Sequence, residues 1–256
     1  PSRDAHAAAN TQAPAALPRD LMPRWKLATG PGHSSPIVAA GKVIYLDEQN
    51  RKEVVHAVEA ATGRELWAVP FAEAFGDEWG SGPRSTPFVD EDRVYAQSCR
   101  GDFVCLRLQD GTRRWQTSFE KDWGVKFYGS EAGQGTAARR GNNGCGVIDG
   151  DRVILPVGST QGASLVAFDK RTGQVLWKAG NDEAAYSACV IGTLAGVRQV
   201  VAFTANALLG ARLTDGHSLW RVPLKTAANR HAATPVIFGD RVAVNSHTFG
   251  LVCVEV

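Results

Sequence analysis

The chain has five cysteines, Cys99, Cys105, Cys145, Cys189 and Cys253, with no adjacent pair and no C-x-x-C spacing. Zinc and dithiol redox chemistry use those close spacings, so neither gains support here. An odd count leaves at least one thiol unpaired within the chain. Runs such as Phe103-Val104-Cys105-Leu106 and Leu251-Val252-Cys253-Val254 read as apolar strands in which the thiol is a small buried hydrophobe. No window approaches 18 consecutive apolar residues, the length a membrane-spanning helix requires. A dominant sign of charge is also missing. With 28 Lys and Arg against 26 Asp and Glu, the net charge of +2 argues against nucleic acid or an anionic membrane as partner.

What is present points to short strands. The 27 glycines and 12 prolines are spread along 256 residues of 44% hydrophobic content, which suits tight turns between strands better than long helices. This length fits one all-β domain. The Ala- and Pro-rich beginning, including Ala5-His6-Ala7-Ala8-Ala9 and Ala13-Pro14-Ala15-Ala16, reads as a linker or processed terminus. Residues 1–23 are therefore expected to be poorly ordered, and 24–256 to form the domain.

The main signal is an internal repeat. Ala57-Val58-Glu59-Ala60-Ala61-Thr62-Gly63-Arg64-Glu65-Leu66-Trp67 returns as Ala167-Phe168-Asp169-Lys170-Arg171-Thr172-Gly173-Gln174-Val175-Leu176-Trp177. Degraded copies run from Cys105 to Trp115 and from Gly210 to Trp220. Each copy keeps a glycine four residues before the tryptophan: Gly63, Gly111, Gly173 and Gly216. An Asp/Thr-Gly step between two apolar runs makes a turn that needs positive φ. Upstream of each copy, β-branched runs such as Val43-Ile44-Tyr45-Leu46 and Val153-Ile154-Leu155 follow Gly- or Asp-containing turns. Four strands per unit, with tryptophans 48, 62 and 43 residues apart, is the pattern of a β-propeller blade. The longest interval holds a polar Gly-rich insertion, Asp122 to Gly144, expected to cross one face of the disc. Phe75 to Gly82 is a similar loop.

The frame Ala-x-Asp-x-x-Thr-Gly-x-x-x-Trp resembles the tryptophan-docking repeat of the pyrroloquinoline-quinone-like propeller family over roughly residues 25–256. That resemblance implies an all-β propeller of four-stranded antiparallel blades. Trp67, Trp115, Trp177 and Trp220 would each dock on the neighbouring blade and donate the indole N–H to a backbone acceptor. Four complete repeats, an earlier Trp25 and a fifth unit stopping at Val254-Glu255-Val256 make the propeller incomplete, a truncated product or a piece of a longer chain. Its open blade edge is expected to associate with other surfaces.

Quinoprotein dehydrogenases of the same superfamily hold the quinone against a vicinal disulfide, with Ca²⁺ on Glu, Asn and Asp oxygens. This chain has no Cys-Cys pair, and Asp77, Glu78 and Asn142 sit in no matching motif, so no catalytic, metal or cofactor residue is assigned and no cofactor is expected. The resemblance also covers a propeller lipoprotein of outer-membrane protein assembly. It thus implies an exported, periplasmic, non-catalytic scaffold with a protein partner, the alternatives being a quinone-dependent dehydrogenase and a module for a small polar ligand or glycan.

Aligning the repeats makes Pro36, Pro87, Gly146, Cys189 and Pro235 equivalent starts of the innermost strands. The residues three places earlier, His33, Arg84, Asn143 and Tyr186, with His231 beside Ala232 in the fifth unit, are expected to cluster at one mouth of the central channel and receive a polar ligand. His56 and His217 fall in the scaffold repeat. Arg100-Gly101-Asp102 and Asp149-Gly150-Asp151 read as hairpin turns, not as an adhesion motif and a calcium loop.

Overall fold

The computed structural model of the chain describes residues 20–125, 141–226 and 229–256. Residues 1–19 of the expected disordered terminus, and the middle of the Gly-rich insertion, lie outside the described residues. Asp20 to Pro23 are exposed.

Antiparallel sheets follow one another along the chain. The first blade comprises β1 (Ile37–Ala39), β2 (Lys42–Gln49), β3 (Lys52–Glu59) and β4 (Glu65–Glu73). A two-stranded hairpin follows, β5 (Gly76–Asp77) and β6 (Gly80–Ser81). The second blade is β7 (Phe88–Asp90), β8 (Arg93–Gln97), β9 (Asp102–Arg107) and β10 (Arg113–Ser118), closed by helix α1 (Phe119–Trp123). The third is β11 (Val147–Asp149), β12 (Arg152–Leu155), β13 (Leu165–Asp169) and β14 (Val175–Ala179). The fourth is β15 (Val190–Leu194), β16 (Val197–Phe203), β17 (Ala207–Arg212) and β18 (Ser218–Pro223). A three-stranded sheet, β19 (Val236–Phe238), β20 (Arg241–Ser246) and β21 (Gly250–Glu255), ends the array. This is an open, all-β propeller of four complete blades and a partial fifth.

Each hydrophobic cluster lies between two consecutive blades, because successive side chains of a strand point to opposite faces. Val94 and Ala96 face Ile44, Leu46 and Val55 of the first blade, whereas Tyr95 between them packs with Val153, Leu155 and Phe168 of the third. Inner strands buried on both faces read as nearly continuous apolar runs. At the end of the array that alternation lacks a second neighbour. Val236, Phe238 and Leu251 are left exposed.

The repeated tryptophans occupy these seams. Trp67 Nε1 donates to the Leu108 carbonyl at 3.2 Å, Trp115 Nε1 to Lys170 at 3.0 Å and Trp177 Nε1 to Leu213 at 3.0 Å, each in the next blade. The indole rests on that blade's turn glycine. A Cβ on Gly111, Gly173 or Gly216 would lie 2.9, 2.7 or 2.5 Å from a ring carbon, and all three have φ of +74°. Trp25 repeats the arrangement, donating to Ala60 at 3.0 Å and covering Gly63.

Trp220 departs from it. Its Nε1 donates to Gln199 Oε1 of its own blade at 2.6 Å. The residue opposite each tryptophan in the preceding strand explains the space for this: Ala57, Cys105 and Ala167 face Trp67, Trp115 and Trp177, but Gly210 faces Trp220. With no Cβ there, the indole lies back across its own sheet; a Cβ on Gly210 would come within 2.3 Å of Nε1.

Candidate functional site at the channel mouth

The innermost strands begin at Ile37, Phe88, Val147, Val190 and Val236, each one residue after the position expected to open it. The segments leading into them carry the site. Arg84 makes three side-chain hydrogen bonds there. Nη1 and Nη2 donate to the two carboxylate oxygens of Asp77 at 2.9 and 2.5 Å, and Nη2 also donates to the Gly80 carbonyl at 3.1 Å. The Asp77 carboxylate is 1% exposed and the Arg84 side chain 12%, so the pair is nearly dry. The guanidinium carbon stands 5.2 Å from the centre of the buried Phe75 ring. Fork-to-fork hydrogen bonding to Asp77 raises the Arg84 pKa further, keeping it a fixed cation. This pair pins the β5–β6 hairpin, whose Trp79 N–H caps Asp77 Oδ1 at 2.9 Å.

The other expected residues divide. His33 is exposed; its backbone N–H donates to Pro83 at 2.8 Å, and its Nε2 would lie 2.9 Å from a Cβ on Gly80. Asn143 is within reach of Cys99, whose Sγ lies 3.8 Å from Oδ1. Tyr186 lies near enough to Arg84 to bear on its titration, and its backbone N–H donates to the His231 carbonyl at 2.9 Å. His33, Arg84, Asn143 and Tyr186 thus gather around the hairpin and the Ser98–Gly101 turn. The His231 ring does not join them. It is fully buried, stacked on Phe203 with centroids 4.1 Å apart, and its Nδ1 meets Ser246 Oγ at 3.0 Å. Burial lowers its pKa, so it packs as a neutral aromatic. The expectation for His231 is corrected to a core residue.

Three residues of the site were not singled out from sequence. Glu53, fully buried in β3, accepts the Cys99 N–H on both oxygens at 3.4 Å. Burial raises its pKa to about 8, against the pull of that hydrogen bond. Cys99 is likewise buried, and desolvation holds its thiol well above the usual range, so it is no thiolate nucleophile at neutral pH. Below them, Gln97 Nε2 donates to the Gly144 carbonyl at 2.6 Å and to Ser85 Oγ at 3.1 Å, tying the second blade to the third. A glutamate directly before Val54-Val55 in an apolar strand was the readable sign for Glu53. Nothing in the local sequence marked Gln97 or Cys99.

Among the described residues, the polar groups of this arrangement are held in hydrogen bonds and ion pairs with one another. Among the described residues, no three His, Cys, Asp or Glu side chains are grouped to hold a metal ion. All five cysteines are separate thiols. The Asp77 carboxylate is engaged by Arg84. Among the described residues, this set does not fit a Ca²⁺-bound quinone. Among the described residues no helix is long and apolar enough to cross a membrane.

No curated protein matches the chain. Among solved structures, BamB from Moraxella catarrhalis is similar with a TM-score of 0.55 and 19% identity, over 90% of this chain and 59% of that one. A europium-containing methanol dehydrogenase matches with a TM-score of 0.53 and 16% identity, over 74% and 41%. The computationally designed protein Ika8 matches with 0.54 and 13%, over 89% and 60%. The chain therefore spans three fifths or less of the length of these structures, and identities this low speak to the fold alone. The family described as the outer membrane protein assembly factor BamB matches residues 22–122 and 51–256, nearly all of the propeller, and the chain belongs to that family.

Proposed function

We propose that the chain is a non-catalytic propeller that serves as an exported, periplasmic scaffold for protein recognition. The observation that carries this reading is the use made of Arg84. The best-placed cation at the mouth is spent on Asp77, where it makes a rigid hairpin and leaves little charge to bind or activate a substrate. Cys99 and Glu53 are buried beneath it, out of reach of solvent. Family membership supports the same reading, since the matched family is described as an assembly factor. The polar groups around the hairpin, His33, Asn143 and Tyr186, then form the rim of a recognition surface, as inter-blade loops do on other scaffolds.

The test is a titration of purified, folded protein with pyrroloquinoline quinone and Ca²⁺, followed by thermal midpoint and quinone absorbance. A ligand that binds the native state raises stability by mass action. The expected result is no saturable shift. A Ca²⁺-dependent saturable shift would overturn the scaffold reading in favour of a quinone-dependent dehydrogenase.

A further inference from the structure

The hairpin held by Arg84 carries a feature that the mouth does not use. Trp79, at its tip, is 73% exposed and is the only tryptophan so exposed among the described residues. Two residues along, Ser81 lines a cavity of about 390 Å³ together with Glu48, Arg51, Glu73, Ala74 and Arg100. The charges there differ in their freedom. Glu48 accepts the Ser81 hydroxyl and Glu73 pairs with Lys52. Arg51 and Arg100 make no side-chain hydrogen bond or ion pair among the described residues, and only sense Glu73 from a distance.

Both arginines hang from fixed turns. Arg51 sits in the β2–β3 turn with φ of +63°, its carbonyl accepting the Ala74 N–H at 2.9 Å. Arg100 sits in the β8–β9 turn, where Gly101 N–H donates to Ser98 at 3.1 Å. Beneath Arg100, the neighbouring Cys99 N–H is spent on Glu53.

We propose that Trp79, Arg51 and Arg100 form a docking site for an extended acidic peptide segment of a partner protein. One carboxylate engages the two guanidiniums and an apolar side chain packs on the indole. This rests on the scaffold reading and names the chemistry of the partner. Two guanidiniums that face one cavity and have no ion-pair partner among the described residues complement a carboxylate, whose geometry matches their planar donor fork. Exposed tryptophan and arginine are the residue types that dominate interface energies. The hairpin is already ordered by the Arg84–Asp77 pair, so binding forgoes much of the usual entropic cost of fixing a loop. A glycan would stack on Trp79 but would leave the arginines unused.

The experiment is fluorescence polarisation with a panel of blocked, fluorescein-labelled hexapeptides that pair Asp or Glu with Leu, Phe or Tyr. Matched Asn and Gln versions serve as neutral isosteres. Acidic peptides are expected to bind about tenfold or more tightly than their isosteres, and Arg51→Ala/Arg100→Ala and Trp79→Ala each to weaken binding by about tenfold or more. Arg198→Ala, on the fourth blade, is expected to change nothing, and thermal midpoints should stay constant because all of these side chains are at the surface. Equal binding of acidic and neutral peptides, no binding at all, or full affinity in the Trp79 and arginine variants would overturn the docking site. Displacement of the peptides by neutral oligosaccharide would do the same. The two readings fail separately: a Ca²⁺-dependent quinone shift removes the scaffold, whereas peptide results of these kinds with no quinone shift remove this surface alone.

Discussion

The seams between blades and the mouth of the channel bury side chains in two different ways. A seam repeats one solution: tryptophan on a left-handed glycine, its N–H on a carbonyl of the next sheet, and apolar strands on either side. The mouth uses pairs that occur once, Arg84 with Asp77, Glu53 with the Cys99 amide, and Gln97 with the Gly144 carbonyl. Repeated residues report how the scaffold stacks, while the residues that differ between repeats are where one propeller is distinguished from another. Trp220 marks the boundary of the first rule, for the same repeat position bonds within its own blade once the facing residue is glycine.

The sharpest test of this contrast removes a seam tryptophan. Trp115→Ala is expected to cost about 3–5 kcal/mol, as large aromatic truncations in cores do. Urea unfolding measures it, and a loss under about 1 kcal/mol would show that the indole is not the element joining the second and third blades.

The mouth is tested by Glu53→Gln. The folded-state pKa of Glu53 is raised to about 8 from an ordinary 4.5, so between those values the native state holds a proton that the unfolded chain has released. Stability from this group is therefore present at low pH and lost as pH climbs through about 8. The neutral amide should flatten that slope and exceed the wild type above pH 8 by on the order of 2–4 kcal/mol. Parallel stability-against-pH curves for the two proteins would show that Glu53 is not the group responsible.

A smaller effect is expected at Gly173. Alanine there must hold φ of +74° with its Cβ 2.7 Å from the Trp115 ring, a cost of about 1–3 kcal/mol. Calorimetry of Gly173→Ala beside Gly150→Ala, whose added Cβ meets nothing within 4 Å, separates the contact from the backbone conformation. The smallest loss is expected for Trp220→Ala, about 1–2 kcal/mol, since this indole is only partly buried and donates its N–H within its own blade. A loss equal to that of Trp115→Ala would erase the distinction between them.

Much of the fold was legible because the repeat encodes seams directly. The inner-strand starts inferred at Pro36, Pro87, Gly146, Cys189 and Pro235 fall one residue before the observed strands. Four of the five expected mouth residues approach one another for the same reason. His231 was misplaced because the repeat alignment puts Ala232, not His231, at the equivalent position, and the His231 ring stacks on Phe203 instead. The β5–β6 hairpin was read only as a Gly-rich loop, since its order comes from Asp77 and Arg84, seven residues apart and paired only in three dimensions. Glu53 was overlooked because a carboxyl in an apolar strand reads as an exposed edge position unless the Cys99 amide, 46 residues on, is known to meet it.

The arrangement of apolar clusters, each shared by two adjacent sheets only, has a consequence for how the molecule comes apart. Among the described residues, no cluster links the first blade to the third or the second to the fourth, so free energy passes along the array link by link, as in a one-dimensional chain of coupled units. Damage at one seam should divide the domain into two cooperative blocks that unfold separately, while the blades on either side keep their own slow amide exchange.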